Sequence, residues 1–176
     1  WYRPYEISKN PSFLTDNKEA SEVVQGALGD CWFLSALAAM ATKDHFIRGD
    51  FNENIFNEDK LSNKDIEMLS TGIFPPIFHY YRTKGIYCFR FFKNHKWVYV
   101  IIDDRLPCLK VIGKIKKPKL LFGKSRNPNQ FWVSLIEKAY AKLHGCYEAL
   151  VSGCVDDGIM DLTGQETMRI SFELLQ

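Results

Sequence analysis

The chain has 176 residues, 46% of them hydrophobic and 25% charged. That length can bury one core, and that balance excludes a disordered or collagen-like chain. With 23 basic and 21 acidic residues the net charge is +2, so no bulk field points to nucleic acid or a membrane surface. The longest apolar run, residues 32–41, is interrupted by Ser35 and falls short of the roughly 20 residues a membrane span needs. The chain opens at Trp1, with neither Met nor a signal peptide, and is expected to be a segment of something longer.

Residues 1–22 are polar and turn-rich, with Pro4, Pro11 and Asn17. Residues 25–30 form a glycine-punctuated loop, and residues 31–40 are apolar on every side, which predicts a short buried helix. Residues 44–76 mix Asn, Asp, Glu and Lys, with a possible short helix at 61–69 that Pro75-Pro76 stops. Residues 86–103 predict a β-hairpin around a four-residue loop, Lys93-Asn94-His95-Lys96. Residues 105–126 hold eight Lys or Arg and no acid. They read as a solvated loop, with an acidic partner, a lipid head group or RNA as the alternative. Phe122 is the sole aromatic among those basics, which argues against a single-strand stacking platform, so no nucleic-acid partner is expected. A strong helix follows, with Asn127 as its cap and Pro128 in its first turn. Phe131, Trp132, Leu135, Ile136, Ala139, Tyr140 and Leu143 make its apolar stripe, and Gly145 stops it. Helices grouped around one antiparallel hairpin predict an α+β fold.

Five cysteines, an odd number without a CxxC pair, predict reduced intracellular thiols rather than a disulfide framework or a zinc site. Cys88, Cys108, Cys146 and Cys154 read as small buried hydrophobes. Cys31 differs, because it opens a helix behind a Gly-rich loop. Unpaired N–H groups and the positive helix end favour a thiolate there, and the thiolate is the nucleophile. Gly26 and Gly29 let backbone approach a substrate, the Gln25 amide can donate to an oxyanion, and Trp32 can wall the site. The alternative is a buried structural thiol.

The segment Gln25-Gly26-Ala27-Leu28-Gly29-Asp30-Cys31-Trp32-Phe33-Leu34 resembles the active-site segment of calpains, calcium-dependent papain-like cysteine proteases. Trp1-Tyr2-Arg3-Pro4 with Asn10-Pro11-Ser12-Phe13 resembles the stretch upstream of the family's nucleophile. Asp103-Asp104-Arg105-Leu106-Pro107, Phe131-Trp132, the run Leu135-Ile136-Glu137-Lys138-Ala139-Tyr140, and Asp161-Leu162-Thr163-Gly164 match further family blocks in order. The resemblance implies a papain-like half-core spanning residues 1–176 and carrying the nucleophile. Cys31 would attack and Gln25 would donate to the oxyanion. Gly153 would bind substrate backbone, with Ser152 in place of a second glycine. The implied reaction is hydrolysis of internal peptide bonds in cytoplasmic protein substrates, through a thioester.

In calpains the general-base His and its Asn lie on a second subdomain. None of His45, His79, His95 or His144 sits in a matching context, so this chain is expected to be inactive alone. A non-catalytic calpain-like scaffold or binding module is the rival reading. The resemblance also implies a calcium site made of the Thr15 and Asn17 carbonyls, Glu22 and the Gln130 position. Gln130 stands where the family has a carboxylate, which weakens that site.

Overall fold

The computed structural model of the chain describes residues 1–14, 23–49, 70–109 and 117–170. In chain order the elements are helix α1 (Pro4–Ile7), strand β1 (Val23–Val24), and helices α2 (Cys31–Met40) and α3 (Asp44–Arg48). A 3-10 helix (Pro76–Lys84) leads into the long strands β2 (Ile86–Lys93) and β3 (Lys96–Asp103). The short strands β4 (Cys108–Leu109), β5 (Lys119–Leu120) and β6 (Lys124–Ser125) precede helix α4 (Trp132–His144), a 3-10 turn (Glu148–Leu150) and helix α5 (Val155–Thr163). The helix expected at 61–69 lies outside the described residues. Among those residues every strand pairing is antiparallel: β2 with β3, β1 with β6, and β4 with β5. The expected α+β class holds.

The β2–β3 hairpin is tighter than its sequence suggests. Lys93 pairs with Lys96, leaving a two-residue turn of Asn94 and His95 at φ 51° and 60°. Consecutive positive φ values match the right-handed strand twist, so the strands pair up to the turn and the expected four-residue loop shrinks.

Helix α4 also starts differently. Asn127 does not cap it. The Asn127 side chain accepts from the Asn129 N–H at 3.0 Å, and its carbonyl accepts from the Gln130 N–H at 3.0 Å, closing a turn ahead of the helix. The N–H groups of Phe131 and Trp132 donate instead to the carbonyls of Ser12 and Phe13, at 3.0 and 3.1 Å. Backbone from the start of the chain satisfies the donors that a local cap would serve.

The apolar stripe of α4 is the centre of the core. Phe131, Trp132, Leu135, Ile136, Ala139 and Tyr140 are buried, and Leu143 packs at the edge. Phe33 of α2 stacks on Tyr140 with ring centroids 3.9 Å apart. The Tyr140 hydroxyl donates to Asp161 of α5, and Lys93 at the hairpin tip pairs with the same carboxylate. One buried acid thus joins α4, α5 and the hairpin.

The described ends of the basic segment are not free loop. They supply β4, β5 and β6, and Phe122 stacks on Tyr147 at 4.2 Å. The cysteines divide as well. All five are free; Cys88 is buried and Cys108 half-buried, but Cys146 and Cys154 are exposed. Cys146 follows the Gly145 helix stop and Cys154 is the N-cap residue of α5, so both sit at helix ends rather than in the expected core.

Candidate active site

The loop between β1 and α2 is held from three directions. A Cβ on Gly26 would collide with the backbone of Phe122, and the Ala27 N–H donates to the Leu121 carbonyl at 3.0 Å. Glycine is therefore required at 26 for the 121–123 segment to lie against the loop. The Gln25 side-chain amide donates to the Leu28 carbonyl at 2.7 Å, bracing the loop internally. On the far side, the Ser152 N–H donates to the Gly29 carbonyl at 3.1 Å, and Trp32 Nε1–H donates to the Leu150 carbonyl at 2.8 Å.

This framing presents Cys31, the first residue of α2, with its side chain exposed. Helix N–H groups and dipole converge on that position. Behind it the Trp32 ring is half-buried, and Gly153 lies flat against the ring, where a Cβ would overlap the indole. Ser152 adopts left-handed backbone at φ 71°. Cys31, Gln25, Ser152 and Gly153 thus belong to one surface. Its chemistry is an accessible thiol, with an amide side chain and the exposed backbone of residues 152–153 alongside.

Among the described residues no histidine is placed with the thiol. All four histidines are described, and each has its place elsewhere. His79 Nε2 lies 2.9 Å from the Phe74 carbonyl, and burial lowers its pKa to about 4. His45 lies on Phe46, His144 lies on Tyr140, and His95 is in the hairpin turn.

Two residues that sequence reasoning passed over lie directly behind Cys31. Asp30 is the N-cap residue of α2, and its carbonyl accepts from the N–H groups of Phe33 and Leu34 at 3.0 and 3.1 Å. Its carboxylate makes no cap bond; it is wholly buried and meets Glu137 of α4, itself 1% exposed. Burial, then the neighbouring Asp30, push the Glu137 carboxyl up to about 9. Burial likewise raises Asp30. An acid inside an apolar helix stripe was the signal available in the sequence.

Of the residues implied for calcium, Thr15, Asn17 and Glu22 lie outside the described residues. Gln130 is buried beside the Ser12 bridge and offers a neutral amide. Among the described residues no three His, Cys, Asp or Glu side chains gather as a metal site. No described helix is long and apolar enough to cross a membrane.

The family model for calpain family cysteine proteases matches residues 1–176. Calpain-5 of Caenorhabditis elegans is 37% identical over 172 residues, covering 97% of this chain and 23% of the relative. The calpain-2 catalytic subunit of Bos taurus is 37% identical over 164 residues, covering 93% of this chain and 19% of the relative. The calpain-type cysteine protease DEK1 of Zea mays is 38% identical over 171 residues, covering 93% and 6%. The chain thus spans less than a quarter of the length of these relatives. A match over every residue, joined to an exposed cysteine at the mouth of a braced helix-start loop, places this chain in the calpain family of cysteine proteases.

Proposed function

We propose that this chain is the nucleophile-bearing subdomain of an intracellular cysteine endopeptidase, completed by a second subdomain that supplies the histidine base and its asparagine. The observation that carries the reading is the exposed Cys31 at the start of α2, in a loop braced by Gln25, Ser152 and the Trp32–Leu150 bond. In this reading the Cys31 thiolate attacks a peptide carbonyl. The carbonyl's π electrons move onto oxygen, and backbone N–H groups at the helix start, with the Gln25 amide, stabilise that oxyanion. Collapse expels the amine, protonated by the base of the second subdomain, and leaves a thioester on Cys31 that water hydrolyses. Ser152 and Gly153 offer backbone to an extended substrate beside Trp32. Free thiols on the surface fit a reducing cytoplasm.

Calcium has a smaller place in this reading. Of the implied calcium donors only Gln130 lies among the described residues, and its neutral amide would weaken the site relative to a carboxylate. No step depends on the ion here. In the basic 105–126 segment, exposed Lys117, Lys119, Lys124 and Arg126 offer a surface to an acidic or lipid partner.

The test is hydrolysis of casein by the intact protein and by this chain alone. The intact protein is expected to cleave and Cys31→Ala to abolish cleavage, with the isolated chain inert. An intact protein that never cleaves, yet still binds its partners with Cys31→Ala in place, would instead establish the non-catalytic scaffold.

A further inference from the structure

Behind Cys31 lies a buried polar cluster for which the proposed chemistry has no use. Asp30 is fully buried, and among the described residues no donor from another residue hydrogen-bonds either of its carboxylate oxygens. Besides the backbone N–H of Asp30 itself, the polar group that its carboxylate meets is the Glu137 carboxyl. Two carboxylates can bond only if one carries a proton, and two buried anions in contact are prohibitively repulsive. The Glu137 oxygens are also occupied on their other side, since both accept from the Gly123 N–H, at 2.9 and 3.0 Å. The Gly123 carbonyl accepts in turn from the Ser134 hydroxyl at 2.7 Å, so α4 grips the 121–123 segment twice. That segment is the backing of the nucleophile loop, through Phe122 against Gly26 and Leu121 against Ala27.

We propose that Asp30 and Glu137 share a single proton and act as a positioning pair, clasping the turn that presents Cys31 onto α4 and the 121–123 segment. Glu137 holds the proton and donates it to the Asp30 carboxylate. The pair thus carries one negative charge, and the turn is locked while the proton stays. Among the described residues, Tyr147 from the segment after α4 also faces the pair. Its buried hydroxyl is held in the neutral form by burial and by the negative charge of the pair. The proposal assigns a role around Cys31 and so rests on Cys31 being the nucleophile, but its test reads the carboxyls and not the thiol.

The sign of the pH dependence follows from the direction of the shift. Glu137 holds its proton to about pH 9 when folded, against 4.5 as its ordinary value. The folded chain therefore binds an extra proton between those limits, and this contribution to stability declines as pH rises through them.

The experiment is carboxyl-carbon NMR on the chain labelled with 13C-glutamate, in a Cys31→Ser background that removes the thiol's own titration. One glutamate signal, absent in Glu137→Gln, is expected to stay protonated at neutral pH with a midpoint near 9. The Gly123 and Phe33 amides are expected to move with the same midpoint and to lose it in Glu137→Gln. Asp30→Asn, which gives Glu137 a neutral partner, is expected to lower the midpoint by more than one unit. The melting temperature of Glu137→Gln relative to the parent is expected to climb from about pH 4.5 to 9 and level above it. A Glu137 midpoint below 6, or one that Asp30→Asn leaves at 9, would overturn the shared proton. Amides that ignore the Glu137 midpoint would overturn the positioning role.

Discussion

Trp32 Nε1–H donates to the Leu150 carbonyl at 2.8 Å while Gly153 lies against the same indole ring. The residue after Cys31 therefore fixes the backbone of residues 150–153. Replacing Trp32 by Phe removes the donor and leaves a buried carbonyl to water, at a cost of about 1 kcal/mol. Gly153→Ala forces the indole to move and should cost about 1–3 kcal/mol by overpacking. Urea denaturation measures both. A Gly153→Ala variant as stable as the parent would mean the ring yields freely.

The thiols should separate by exposure and by place. Cys31 is expected to be alkylated first, with Cys146 and Cys154 following. Cys88 is expected to be last, because it is buried and burial raises its thiol to about 11. Cys154 is the sharpest rival, since it also opens a helix and Arg169 lies beside it. Timed iodoacetamide labelling with peptide mapping ranks them, and Cys154 ahead of Cys31 would refute the ordering.

His79 gives acid sensitivity. Its folded pKa of about 4 lies below the ordinary 6.5, so the unfolded chain takes up a proton that the folded chain refuses. Stability should fall as pH drops from about 6.5 towards 4, by at most about 3 kcal/mol. His79→Gln keeps a donor for the Phe74 carbonyl and should flatten that slope. A slope unchanged in the variant would assign it to other groups.

Tyr140→Phe removes the hydroxyl that Asp161 accepts, while Lys93 stays paired with that acid. A loss of about 1–2 kcal/mol is expected, smaller than a bare buried carboxylate would give. Denaturant midpoints of Tyr140→Phe and Asp161→Asn, compared with the parent, check it. An Asp161→Asn variant more stable than the parent would show that the buried charge is a net burden.

Calcium should bind this chain weakly or not at all, and Gln130→Glu should strengthen binding by restoring one formal charge. Calorimetry on both forms decides it. Tight binding by the parent that survives Glu22→Ala would show that other ligands hold the ion.

Much of this was written in local pattern. The helix from Cys31, the hairpin and the stripe of α4 follow from apolar spacing and glycine stops. What escaped depended on contacts between distant segments. The start of α4 is set by Ser12 and Phe13 backbone rather than by Asn127, and no local motif announces such a partner. The basic segment looked solvated because its charges dominate its composition, yet Leu121 and Phe122 inside it back the loop before Cys31. Glu137 was passed over because its neighbours satisfied the helical period without it. Its role depends on meeting Asp30 across the core. Cys31 and Gln25 stood out as a helix-start thiol and an amide flanking a Gly-rich loop, Ser152 and Gly153 only through family resemblance, and the bracing bonds only through the fold.

The central claim, that Cys31 is the nucleophile of a cysteine peptidase, is tested most directly by covalent trapping in the intact protein. A peptidyl vinyl sulfone, which reacts with an activated thiolate seated beside bound substrate backbone, would be followed by mass spectrometry. The account predicts one adduct, on Cys31, formed in step with loss of casein cleavage and absent in Cys31→Ala. An adduct on Cys154 or elsewhere, or casein cleavage that persists in Cys31→Ala, would contradict it.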